Sequence, residues 1–81
     1  MFVYDRPMTN YDRAQRAVLG ALLEAHPRLL SIDELDAGLR DVPRPGEALR
    51  VLVADGLATQ LGDRVGASRA AVRFNELRRP A

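Results

Sequence analysis

The chain is 81 residues long, 47% hydrophobic and +1 in net charge, which suits one small domain with a modest core. It has no cysteine and one histidine, His26, so disulfides, thiolate metal sites and the common zinc sites are excluded. No apolar run approaches the roughly 20 residues of a membrane span, and residues 1–7 lack the basic start and apolar stretch of a secretory signal. The expectation is a cytoplasmic protein with no membrane partner.

Charge is unevenly spread. Residues 1–41 hold five Arg and seven Asp/Glu, whereas residues 42–81 hold seven Arg and four Asp/Glu. All twelve cations are Arg. Its planar fork suits phosphate and guanine, although a general preference for Arg over Lys explains the bias more simply.

Residues 1–8 read as a tail. A first helix is expected from about Asn10 to Ala25, with Tyr11, Ala14, Val18, Ala21, Leu22 and Ala25 on one apolar face. Thr9 and Asp12 have the spacing of a capping box. His26-Pro27 stops the helix, because the residue before proline is pushed out of the α region.

The second helix is the best-marked element. Ser31 and Glu34 form another capping-box pair, and Leu30 and Leu35 have the spacing of a hydrophobic staple. Ile32, Leu35 and Leu39 give its buried face, and Pro43 closes it. A short turn, Asp41-Val42-Pro43-Arg44, leads to a third helix, in which Pro45 suits the first helical position and Glu47 the first turn. Its apolar face is Leu49, Leu52 and Val53. Gly56 is placed for a left-handed cap, with Leu57 folding back on Leu52.

A hairpin follows. Residues 57–61 and 64–67 flank Gly62-Asp63, a two-residue turn with glycine first. Ser68 can cap a last helix with Ala70, Phe74 and Leu77 on one face. The alternative is a strand through Val72, Phe74 and Glu76, and the cap and the Ala-Ala pair favour the helix. The domain then spans residues 9–77, with residues 78–81 a basic tail containing Arg78 and Arg79. The fold class expected is α+β, mainly α with a small β-hairpin.

Helix, helix, short turn, helix and hairpin follow in that order. Leu49-Arg50-Val51-Leu52-Val53-Ala54-Asp55-Gly56-Leu57 resembles the end of a recognition helix entering a wing, and Leu30-Ser31-Ile32-Asp33-Glu34-Leu35 resembles the capped helix before it. Over residues 10–77 the chain resembles the small, single-domain winged helix-turn-helix proteins of actinobacteria. It shares the general pattern of bacterial regulators of the multiple-antibiotic-resistance and arsenic-repressor kinds. The resemblance implies a three-helix core plus wing. It also implies a DNA-binding regulator or DNA-associated accessory protein acting on double-stranded DNA, with a homodimer possible. The third helix, residues 45–55, would enter the major groove, about 12 Å wide, and the 57–67 hairpin would be the wing.

On that basis Arg44, Glu47, Arg50, Val51, Arg64 and Arg69 are the candidate DNA-binding residues. Arg50 suits a bidentate pair with guanine, Arg44 and Arg64 suit phosphate, and Glu47 suits cytosine or simply the helix start. Each Arg also has a plain role in keeping a surface soluble. The competing function is a winged-helix adaptor that binds a protein partner without touching DNA. Acids interrupting the basic face would favour the adaptor. Residues Phe2-Val3-Tyr4 and the last helix are candidate dimer contacts. No nucleophile–histidine–acid set and no phosphate-binding glycine loop occurs, so no enzyme activity, cofactor or metal is expected.

Overall fold

A computed structural model describes residues 9–78. The elements are α1 (Asn10–Ala25), β1 (Leu30–Ser31), α2 (Ile32–Gly38), α3 (Pro45–Ala54), β2 (Ala58–Leu61), β3 (Arg64–Ala67) and α4 (Arg69–Arg78). The protein is thus α+β, with four helices and a three-stranded antiparallel sheet of order β1-β3-β2. Among the described residues no helix is long and apolar enough to cross a membrane. The expected tail of residues 1–8 and the tail end, residues 79–81, lie outside the described residues.

Local signals set most boundaries. Both capping boxes form: the Thr9 hydroxyl accepts from Asp12 N–H at 3.1 Å, and the Ser31 hydroxyl from Glu34 N–H at 3.0 Å. Each acid returns the contact, at 3.2 Å to Thr9 N–H and 2.9 Å to Ser31 N–H. Helix α3 starts with Pro45 and ends in a Schellman motif. There Gly56 N–H donates to the Val53 carbonyl at 3.1 Å and Leu57 N–H to the Leu52 carbonyl at 2.8 Å. Gly56 has φ +79°, a conformation that costs most residues energy through their Cβ. The hairpin turns at Gly62, φ +64°, between the paired residues Leu61 and Arg64. Residues 69–78 are helical, with Ser68 accepting from Ala71 N–H at 3.1 Å, so the helical alternative holds over the strand.

The core lies where α1 crosses α3 and both meet the sheet. Val18, Leu22 and Val65 are fully buried, joined by Ala14, Leu30, Leu35, Ala48, Leu49, Leu52 and Ala58. Helix α1 supplies one face at spacings of four, Ala14, Val18 and Leu22. Ala14 and Ala48 are both buried at the α1–α3 crossing, where small side chains let helices approach closely. In β3, Gly66 is buried because Leu29 lies over it, with Leu29 Cδ2 2.5 Å from where a Cβ would stand.

Several features depart from the sequence reading. The pairing partner of the hairpin is a third strand, β1, made of the two residues read only as a staple position and a cap. Helix α2 already ends at Gly38, so Leu39–Arg44 is a connection six residues long rather than a four-residue turn. Helix α3 ends at Ala54, with Asp55 as its cap. Tyr11, expected on the buried face of α1, is 59% exposed. Tyr11 lines a hollow together with Ala14, Pro43, Arg44, Glu47 and Ala48.

The core predicts a sharp contrast. Leu22→Ala should destabilise by about 2–5 kcal/mol, because it leaves a cavity among buried neighbours. Leu61→Ala, at a side chain 62% exposed, should cost no more than about 0.5 kcal/mol. Urea denaturation followed by circular dichroism measures both.

Candidate functional site

Helix α3 buries Ala48, Leu49 and Leu52, which turns Gly46, Glu47, Arg50, Val51 and Ala54 outward. This outward face is where four of the six candidate residues lie or adjoin. Arg44 precedes it as N-cap in the left-handed region, φ 51° and ψ 55°, with no side-chain cap. That conformation is costly for a residue with a Cβ. It aims the Arg44 carbonyl at the helix start, where it accepts from Glu47 N–H at 3.2 Å and Ala48 N–H at 3.3 Å. The Arg44 guanidinium lies 3.6 Å from Glu47 Oε2. Glu47 therefore serves the helix start and its neighbouring cation together.

Arg50 has a different setting. It lines a shallow depression between α2, α3 and β2, with Asp36, Gly46, Val53 and Gln60 among its neighbours. Among the described residues it has no ion pair, so its guanidinium fork is available. Val51 is 37% exposed on the same helix. Gln60 extends from the hairpin, and its amide donates to the Gly62 carbonyl at 3.2 Å.

Arg64 is drawn toward α2. The β1–β3 register pairs Ser31 with Arg64, and Ile32 N–H donates to the Asp63 carbonyl at 3.0 Å. Glu34 caps Ser31 from one turn further on. Its Oε1 is therefore 3.9 Å from Arg64, while its Oε2 accepts from Arg28 at 3.2 Å. The Ser31 backbone N–H, then the Arg28 side chain, hold the Glu34 carboxyl below its ordinary pKa. Arg69 is elsewhere. It opens α4 at the far end of β3 and lines a groove with His26, Val72 and Arg73.

The six residues thus fall into three settings. Glu47, Arg50 and Val51 lie on α3 with Arg44 as its N-cap; Arg64 joins Glu34 at the α2 start; Arg69 opens α4 and lines a groove with His26. Sequence reasoning missed Glu34 as the hub of Arg28 and Arg64, although its capping box was visible. It also missed Gln60 and Asp36 at the depression, which no local pattern marks. Among the described residues, no group of three His, Asp or Glu is placed to hold a metal ion. Comparison with protein-family models, with curated proteins and with solved structures gives no match.

The hub makes a pH prediction. A carboxyl whose folded pKa is depressed contributes stability above its unfolded pKa and loses it as pH falls through the folded value. Glu34→Gln should therefore lower the thermal midpoint at neutral pH. The gap to the parent should close once pH drops below the carboxylate range. A gap that persists in acid would assign the loss to the cap geometry instead of the charge.

Proposed function

We propose that this chain is a winged helix-turn-helix module that binds double-stranded DNA, with α3 as the reading helix and the β2–β3 hairpin as the wing. The observation that carries the reading is the arrangement itself. Three helices lead into a hairpin, the sheet order is β1-β3-β2, and the outward face of α3 stays uncovered beside the hairpin. A helix with such a free face fits the major groove, and a hairpin beside it meets the flanking backbone. Within this reading, Arg50 reads a base edge. Arg44 makes a phosphate contact at the start of α3 when it exchanges Glu47 for phosphate. Binding is moderate in strength, because acids on α2 and α3 offset part of the basic charge.

A second reading has its own observation. Arg44 lies against Glu47 and Arg64 against Glu34, while Asp33 and Asp36 are exposed on α2. Acids therefore interrupt the basic face, as a protein-binding adaptor would have it. Such a mixed surface suits a partner of complementary charge better than a continuous row of phosphates.

Fluorescence anisotropy with a labelled mixed-sequence duplex separates the two. The DNA reading expects saturable binding that weakens steeply as salt rises, since each neutralised phosphate releases counterions. Arg50→Ala should then cost about 1–3 kcal/mol of binding. Arg64→Ala should cost less, because Glu34 already holds that side chain. A folded protein that fails to bind at low salt would select the adaptor. A folded Arg50→Ala, Arg64→Ala double variant that binds as the parent does would overturn the residue assignments.

A further inference from the structure

A groove runs between the end of α1 and one side of α4. His26, the C-cap of α1, lines it from one element, and Arg69, Arg73 and Glu76 line it from the other. On α4 the residues Arg69, Val72, Arg73 and Glu76 follow at intervals of three, one and three, so they share one helix face. That face borders the docked side of the helix, where Ala71 is buried and Val72 and Asn75 are half-buried. Ala70 and Val72 give the groove an apolar lining between its charged groups.

The charge in the groove is one-sided. Two arginines and a histidine meet a single carboxylate, Glu76, and no other acid lines it. Glu76 Oε1 lies 3.5 Å from Arg73, so that pair is matched within the helix. Arg69 and His26 are exposed and have no ion pair among the described residues. Their N–H donors therefore face solvent from two different elements across an apolar lining. A row of phosphates would use the donors and leave Ala70 and Val72 without a partner. A peptide with carboxylates flanking an aliphatic side chain meets both. The groove offers about 620 Å³, room for several side chains and far more than one small anion needs.

We propose that this groove binds an acidic peptide segment of a protein partner, with an aliphatic side chain against Ala70 and Val72, one carboxylate on the Arg69 fork and a second on His26. Arg69 takes a carboxylate in bidentate fashion. Because it opens α4 at the end of β3 remote from Arg64, the site stands apart from α3 and does not depend on duplex binding. Exposed cations contribute modestly, so the complex is weak and loosens as salt rises.

Nitrogen-15 NMR titration of the full chain tests this, with a capped peptide of central leucines flanked by glutamates as the probe. Saturable shifts should concentrate on the amides of His26, Arg69, Val72 and Arg73, and leave Arg50 and Val51 on α3 in place. Arg69→Glu should weaken binding by roughly threefold or more, and adding His26→Ala should weaken it further. Both side chains are exposed, and an acid suits the α4 start, so circular dichroism should match the parent. The same peptide with lysines for glutamates should shift none of these amides. No shifts at millimolar peptide overturn the proposal, as does equal binding of the lysine peptide or of the double variant. A short duplex that shifts these amides more tightly than the acidic peptide would assign the groove to nucleic acid instead.

Discussion

Leu30 and Ser31 hold the two halves of this protein in register. Paired with Val65 and Arg64, they form a strand only two residues long. Leu30 carries that strand into the core beside Val65, and Ser31 ends it by capping α2. Because strand side chains alternate, a one-residue slip of β1 would turn Leu30 away from the core. The hairpin would then no longer be tied to the start of α2. The position of the hairpin beside α3 thus depends on this pairing, and so does the approach of Arg64 to Glu34.

That pairing also shapes the electrostatics. Glu34 answers a local need, capping its own helix; Arg28, from the connection after α1, pairs with it, and the strand register brings Arg64 to it as well. Arg44 is matched with Glu47 through the geometry of the α3 start. Exposed pairs of this kind contribute little to stability, yet they decide which cations stand free. Among the described residues Arg50, on the outward face of α3, has no ion pair. Four of the ten arginines among the described residues, Arg28, Arg44, Arg64 and Arg73, lie in such pairs.

Helix α4 shows the limit of a small core. The main cluster is built without it, from α1, α2, α3 and the three strands. Ala71 is the buried residue of the last helix, while Phe74 and Leu77 stay exposed. Their exposure is what a chain of this size does with a helix that its own core cannot cover.

Features that depend on neighbours three or four residues away were legible in the sequence. The caps at Thr9, Ser31 and Ser68, the Pro45 start, the Schellman end at Gly56 and the Gly62 turn each involve hydrogen bonds or φ preferences within one turn of chain. Residue type and spacing suffice to announce them. The spacing of Ala14, Val18 and Leu22 likewise announced the buried side of α1. What only the tertiary structure decided involves partners far apart in the chain. These are the β1–β3 pairing, the meeting of Arg64 with Glu34, the setting of Arg50 beside Gln60 and the exposure of Tyr11. Two residues are too few to show an alternating strand pattern, and a surface ion pair leaves no periodicity. Apolar spacing also reads the same whether the face it marks is covered by its own domain, as on α1, or left open, as on α4. Which of these holds is set by how much core the rest of the fold provides, and that quantity exists only once the chain is packed.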